Sequence, residues 1–370
     1  MKRIIFLSTL LIFCTVMTVN AQDLDIYEAS GADRLFSVLP ENGREILLEH
    51  GISGADSDAM LSLSFGDFLK IIGDEFLKSA KKPLGLFASG VAAALLCALI
   101  AQFKPPQSES AARTFDAVAV LMTSIVMLTP VSEMFTEAAR SLENISAFLI
   151  SFVPVYVGIL TAAGQPLGAS FAQSALLGVS EVVSVISTTV LVPLLTIYLA
   201  ICIVSSVSRE FSIDPLIDGI RTVITVSLGA LLTVFVGVLA LKGGLVKSAD
   251  TVGMKTAKFA AGTLFPVVGG AVSDALASVR GSLSLVRASV GTFAAIGVGV
   301  SCLPAILSLL LTRMALAFSA AVAGVLSADR VASVLKRAAD VLSLLSGIVA
   351  VFAVLVIVSL GVLLQTAGGG

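Results

Sequence analysis

Long apolar runs separated by short polar stretches dominate the chain from residue 84 onwards. A helix needs about 20 mostly apolar residues to cross the hydrocarbon core of a bilayer. The pattern therefore predicts an all-α, polytopic membrane domain over residues 83–370, with about eight membrane segments, some broken by proline or glycine. The shorter run 314–328 is expected to pair with the run 290–311 as a hairpin around Thr312-Arg313. The predicted segments are 84–103, 117–135, 145–163, 182–204, 223–241, 290–311, 314–328 and 342–364.

The N-terminus has the pattern of a signal peptide. Lys2 and Arg3 precede an apolar run, and Val19 and Ala21 are compact residues at the −3 and −1 positions of a cleavage site. We predict a cleavable signal peptide over 1–21. An uncleaved anchor helix is the alternative reading.

A polar segment, 22–82, follows and is predicted to be extracytoplasmic and helical. Within it, residues 65–77 place apolar side chains at spacings of three and four, which gives a helix with one apolar face. Such a helix either lies on the membrane or docks a partner helix. A small helical hairpin packed on itself explains the pattern equally well.

Composition agrees with a lipid environment. Hydrophobic residues make up 57% of the chain and charged residues only 13%, against roughly 25% charged residues in soluble domains. The formal net charge is −2, so no basic patch is present and nucleic acid is not an expected partner.

Basic residues set the predicted orientation. A signal peptide places 22–82 outside, and basic loops should then fall on the cytoplasmic side. A predicted loop with Arg330, Lys336 and Arg337 meets this rule, and so does the long connection 242–289, which is predicted to be cytoplasmic or re-entrant. The basic residues of that connection are Lys242, Lys247, Lys255, Lys258, Arg280 and Arg287.

The connection 242–289 contains a broken apolar stretch, 259–277. Pro266 and the Gly269-Gly270 pair should interrupt a helix there. The stretch is either a re-entrant element lining a path or a packed interfacial helix pair, and Asp274 either serves the path or caps a helix. The candidate residues for a pore or partner contact are Lys255, Lys258, Phe265, Pro266, Gly269, Gly270 and Asp274.

Proline spacing suggests an internal duplication. Pro154 and Pro266 are separated by almost the same length of chain as Pro193 and Pro304. Broken segments in paired positions are typical of transporter cores, although proline is common in membrane helices by chance.

Small residues at every fourth position predict helix packing faces. Two such stripes are present, and they predict close helix contacts and no chemistry. Their members are Gly229, Thr233 and Gly237 in one stripe, and Gly291, Ala295 and Gly299 in the other.

Catalytic signatures are missing. The sequence has no phosphate-binding loop, no zinc-protease motif and no serine nucleophile elbow, and it has a single histidine, His50. The predicted spans carry almost no ionisable residue at their centres, which argues against a self-energised transporter. We expect no enzymatic activity, no metal and no cofactor.

Several motifs resemble the stage III sporulation protein AE family, from about Leu69 to Leu364. The most specific is the block from Lys255-Thr-Ala-Lys258-Phe259 to 265–275, which reads FPVVGGAVSDA. Further matches are 232–239, Ser208-Arg-Glu-Phe211 and Phe152-Val-Pro154.

This resemblance implies a non-enzymatic subunit of a channel complex between mother cell and forespore. Its implied location is the mother-cell membrane around the forespore, and its implied partners are other membrane subunits and a separately encoded ATPase. A small-solute permease working alone, and a scaffold without a pore, are the competing hypotheses.

Overall fold

The computed structural model describes residues 34–52, 65–102, 109–185, 189, 192–207, 214–264 and 269–367. Helix accounts for 95% of this described part, and no strand occurs in it. The all-α prediction is therefore confirmed, while the predicted signal peptide, 1–21, lies outside the described residues.

Ten helices make up the described part of the chain. The first three are short, and the others include very long ones. In chain order they are α1 (Leu35–Val38), α2 (Glu41–Glu49), α3 (Phe65–Ser79), α4 (Lys81–Gln102), α5 (Glu109–Ala162), α6 (Pro166–Val185), α7 (Val192–Val207), α8 (Asp214–Leu264), α9 (Gly269–Val325) and α10 (Asp329–Ala367).

Five described stretches are long and apolar enough to cross a membrane, which agrees with the predicted membrane class. The predicted number of about eight segments is not confirmed. One further stretch, Pro193–Cys202, is apolar but shorter. The five are Lys81–Ile100, Ala117–Ala162, Pro215–Val246, Val286–Val325 and Asp329–Gln365.

Two predicted loops are helical in the structure. The hairpin expected at Thr312-Arg313 is wrong, because α9 runs unbroken through it. The predicted segments 117–135 and 145–163 lie on one helix, α5, which has 54 residues and is about 80 Å long at 1.5 Å per residue. Arg140, between the two apolar runs, is exposed, and the helix continues through it.

Two helical hairpins are closed by the same type of turn. Gly164, between α5 and α6, has φ 75°, and Ser327, between α9 and α10, has φ 56°. The next residue in each turn donates its N–H back to the preceding helix: Gln165 to Leu160 O at 3.0 Å, and Ala328 to Ala323 O at 2.9 Å. This left-handed cap satisfies the last helix carbonyls and lets the chain reverse at once.

The predicted internal duplication is not tested by the described residues and stays a prediction. Pro193 is the second residue of α7, whereas Pro304 lies in the interior of α9. Pro154 lies inside α5, and its proposed counterpart, Pro266, is outside the described residues.

The core is built around α5, α9 and α10, which pack on one another and on most other helices. Helices α5 and α9 are antiparallel, since Met134 lies against Thr312 while Gln165, just after α5, bonds to Arg287. Aromatic side chains stack in the core along α5. The ring centroids of Phe148 and Phe152 are 5.9 Å apart, and those of Phe152 and Tyr156 are 5.2 Å apart.

The N-terminal helices are docked on α9. The ring of Phe36 lies 6.4 Å from that of Phe293, and the side chain of Leu39 covers Gly297. Gly43 lies so close to Ser301 that a Cβ atom would overlap the serine hydroxyl. Part of the predicted extracytoplasmic segment, 22–82, therefore lies directly beside the predicted span 290–311.

A second set of contacts joins α2 to α3. Lys78 forms an ion pair with Glu49, and His50 Nε2 lies 3.6 Å from Asp74 Oδ2. These pairs hold the two short helices together at the side of α9.

Candidate functional site

The predicted pore or partner residues fall at the junction of α8 and α9. Lys255 and Lys258 lie near the end of α8, and Asp274 lies in the second turn of α9, which begins with Gly269 and Gly270. Phe265 and Pro266 are outside the described residues. The proposed pore or partner contact at this junction stays a prediction.

The two small-residue stripes have different surroundings. On α9, a Cβ at Gly291 would overlap Leu364, and one at Gly299 would stand 3.8 Å from Ile357, so this stripe, with Ala295 between them, faces α10. On α8, a Cβ added at Gly229 or Gly237 would have nothing within 4 Å, and Thr233 between them is exposed. The α8 stripe therefore has open space beside it.

A groove of about 540 Å³ runs between α9 and α10. Its α10 wall carries charge, because Asp329, Ser333 and Lys336 recur at intervals of four and three residues and so share one helix face. Its α9 wall is apolar and small. The lining residues are Ala317, Ala320 and Ala321 from α9 and Asp329, Ala332, Ser333 and Lys336 from α10.

The charged groove lies at the depth of the apolar helix α4. Gly90, the tenth of the 22 residues of α4, packs on Ser319, and a Cβ at Gly90 would stand 3.9 Å from Leu335 Cδ2. Lys336, the next residue, is therefore level with the middle of α4. Helix α4 exposes large apolar side chains such as Leu84 and Leu96, 64% and 60% exposed, and is long and apolar enough to cross a membrane, so Lys336 lies level with a candidate span.

Lys336 was predicted to lie in a cytoplasmic loop with Arg330 and Arg337. The three residues are helical and do not lie in a loop, because α10 begins at Asp329 and includes all of them. Their cytoplasmic side stays a prediction. The helical spacing of Asp329, Ser333 and Lys336 was the signal that could have placed them on one face. Both charged residues of the groove are exposed.

Arg337 faces a different side of α10 from Lys336. Its Nε donates a 3.4 Å hydrogen bond to Ser333 Oγ, and it lines a small space with Ser124 of α5 and Cys202 of α7. An ionisable side chain at the centre of a bilayer costs about 2.5–3.5 kcal/mol on insertion scales. Such residues are therefore candidates for a hydrated path or a partner contact.

Arg287 is a buried cation at the other end of the bundle. It is 2% exposed, and its Nη1 donates to Gln165 Oε1 at 3.1 Å, in the turn between α5 and α6. Its Nη2 donates to Ser284 Oγ at 3.4 Å, while Nε has no partner among the described residues. The carbonyl end of α5 is the negative end of the helix dipole, so Arg287 ties α9 to this turn.

The all-helical fold, with five described stretches long and apolar enough to cross a membrane, defines a helical protein of the membrane class. Residues 52–367 match the family model of stage III sporulation protein AE, and the chain therefore belongs to the stage III sporulation protein AE family.

One curated relative is the stage III sporulation protein AE of Bacillus subtilis (strain 168), which is 23% identical over 201 residues. The alignment covers 54% of this chain and 50% of the relative, so the match spans about half the length of both. No solved structure matches the chain.

Proposed function

We propose that this chain is a membrane subunit of a secretion-like channel complex that links mother cell and forespore and is needed for forespore development. It resides in the mother-cell membrane around the forespore and performs no catalysis. Other membrane subunits complete the complex, and a separately encoded ATPase energises it. Membership of the sporulation family supports this role.

The charged groove is the observation that carries the proposal. An exposed lysine level with the middle of α4 is unfavourable against lipid tails. A chain that met only lipid on this side would have an apolar residue there. The groove therefore faces water or another protein within an assembly.

Thiol accessibility tests this proposal in sporulating cells. In a cysteine-free background, Ser333→Cys in the groove should react with a water-soluble maleimide, because the reagent needs a hydrated thiolate. Phe318→Cys is the matched control, since Phe318 is 58% exposed on α9 but does not line the groove. If Ser333→Cys and Phe318→Cys are equally protected from the maleimide throughout sporulation, both with the complex intact and with it removed, the groove is neither hydrated nor lined by a partner.

Liposome reconstitution separates the complex subunit from the small-solute permease. The purified chain alone should give no solute flux, while the intact complex should. Flux by the isolated chain would favour the permease and overturn the assignment to a multi-subunit channel.

A further inference from the structure

The single histidine of the chain, His50, lies where α2 meets α3. It follows α2 directly, and its Nε2 is 3.6 Å from Asp74 Oδ2 on α3. The histidine side chain is 19% exposed and the aspartate side chain 64% exposed. Solvent protons can therefore reach this pair, which we call the histidine contact.

The hydrogen bonding of the imidazole ring decides the nature of this contact. Nδ1 of His50 lies 2.8 Å from Ile46 O, and since a carbonyl oxygen only accepts, Nδ1 carries a hydrogen. In the neutral ring Nε2 is then an acceptor, and its lone pair would face the carboxylate of Asp74 with no proton between them. Only the doubly protonated ring places a positive charge beside Asp74, so the observed arrangement fits the imidazolium form.

The surroundings of the histidine contact leave His50 as the group that titrates near neutral pH. Helix α9, on which both short helices pack, has no charged residue between Arg287 and Arg313, and α1 has none at all. Carboxylates and lysines ordinarily keep their charges between pH 5 and 8, whereas histidine changes its charge there. The other charged side chains of the two helices are Glu41, Arg44, Glu45 and Glu49 on α2, and Asp67, Lys70, Glu75 and Lys78 on α3.

We infer that the histidine contact tightens on acidification, because His50 takes up a second proton and then pairs with Asp74. At low pH the imidazolium attracts the carboxylate. As the pH rises through the titration of the ring, the attraction is lost and the neutral ring opposes the carboxylate with its lone pair. The junction of α2 and α3 is therefore firmer at the acid end of the range from pH 5 to 8 than at the alkaline end.

The histidine contact controls how firmly the N-terminal helices close on the bundle. Helix α2 is docked on α9 through Gly43 and Ser301, and α3 is separated from α4 by one residue. The ion pair of Lys78 with Glu49 joins the same two helices and contains no histidine, so it persists across this range. Raising the pH thus removes one of two polar links. This regulation is a property of the chain itself and does not depend on the proposed function.

Hydrogen exchange of the full chain in detergent tests the inference at pH 5.5 and pH 8, near the ends of the range in which histidine titrates. All proteins carry Glu75→Gln, because the pKa of Glu75 is also raised at this junction. Protection of the α2 amides, corrected for the intrinsic effect of pH on exchange, should be about two- to fivefold greater at pH 5.5, as a partly exposed ion pair provides.

Two variants remove the histidine contact from either side. His50→Gln and Asp74→Asn should each bring the ratio of protection at the two pH values close to one, and the double variant should match the single ones. The ratio is the measured quantity, because loss of a hydrogen bond at the end of α2 lowers protection equally at both pH values. Asp74→Asn changes a mostly exposed side chain, so it should leave the fold intact.

Two lysine variants are matched controls. Lys70→Gln, on an exposed residue that pairs with Asp67 on the same helix, should leave the ratio unchanged. Lys78→Gln should lower the protection of α2 by a similar factor at both pH values, because it removes the link that does not titrate here.

An unchanged ratio in Asp74→Asn, or greater protection of α2 at pH 8 than at pH 5.5 before that substitution, would overturn the inference. Neither result bears on the proposed function, which maleimide labelling and solute flux test separately.

Discussion

Gly90 of α4 lies in direct contact with Ser319 of α9. A Cβ at Gly90 would stand only 2.7 Å from Ser319 Oγ and 2.9 Å from Ser319 Cβ. The same hydroxyl donates a 3.3 Å hydrogen bond to the carbonyl of Phe87. This contact fixes the position of α4 along α9, and with it the level of Lys336 relative to α4.

Gly90→Ala is therefore expected to destabilise the protein by about 1–3 kcal/mol, as overpacking of a close contact does. Gly85→Ala is the control on the same helix, because nothing lies within 4 Å of its Cβ position. It should be neutral or stabilising by up to about 1 kcal/mol through helix propensity. The free energy of unfolding in mixed detergent is measured for both variants. If Gly90→Ala and Gly85→Ala change it equally, the close contact of Gly90 with Ser319 is contradicted.

Gly43→Ala should release α2 from α9. The hydroxyl of Ser301 bonds to Gly297 O at 2.6 Å, so it cannot turn away easily from a new methyl group at residue 43. Limited proteolysis should show faster cleavage between 40 and 52, without loss of the core fragment. Gly73→Ala, in open space on α3, should leave the rate unchanged, and the double variant Gly43→Ala with Ser301→Gly should recover most of the protection.

Gln165→Ala should destabilise the protein by about 1–3 kcal/mol, because it leaves the buried Arg287 guanidinium without an acceptor. Arg287→Met should cost less than Arg287→Ala, since it keeps the volume and removes the buried charge. Gln173→Ala, on the exposed side of α6, should stay within about 0.5 kcal/mol of the original chain. Thermal unfolding in detergent ranks the four variants.

A matching cost for Arg287→Met and Arg287→Ala would indicate that the cation itself, rather than packing, supports the turn. No loss on Gln165→Ala would show that the hydrogen bond to Arg287 contributes little.

The stability of the N-terminal helices is expected to depend on pH through Glu75. Burial raises the pKa of its carboxyl group, Lys78 opposes this, and Glu49 and Glu45 add to it. A raised folded pKa means that the folded state binds the proton more tightly, so stability falls as pH rises from the unfolded pKa, about 4.3, through the folded value. Glu75→Gln should remove this fall and raise the stability at pH 7 relative to the original chain.

Unfolding of both proteins between pH 4.5 and neutral pH, roughly the window of this titration, measures the difference. If the stability of the two proteins changes with pH in the same way, Glu75 is not the group responsible for the pH dependence. Glu41→Gln serves as a control, because Glu41 is exposed at the start of α2.

The helical class and the position of α4 follow from the sequence because both depend on the length of an apolar run. The predicted span 84–103 corresponds closely to Lys81–Gln102. The number of spans does not follow, because Arg140 and Arg313 were taken as loop residues. Both lie inside long continuous helices, so a charged residue between two apolar runs does not mark the end of a helix here.

The charged groove could not be found from loop charges alone. Lys336 was counted as a loop residue because the rule for basic residues scores charge and ignores depth. Its depth depends on the contact of Gly90 with Ser319 and Leu335, which joins residues far apart in the chain. The burial of Arg287 could not be predicted for the same reason, because its bond to Gln165 is a long-range contact.

The length of α9 has a mechanical consequence. With 57 residues, it is a rod of about 86 Å at 1.5 Å per residue, and it carries its junction with α8 at one end and the charged groove near the other. A continuous helix resists compression, because shortening it means breaking its own hydrogen bonds. A displacement at the Gly269 end is therefore expected to be carried along α9 towards the groove.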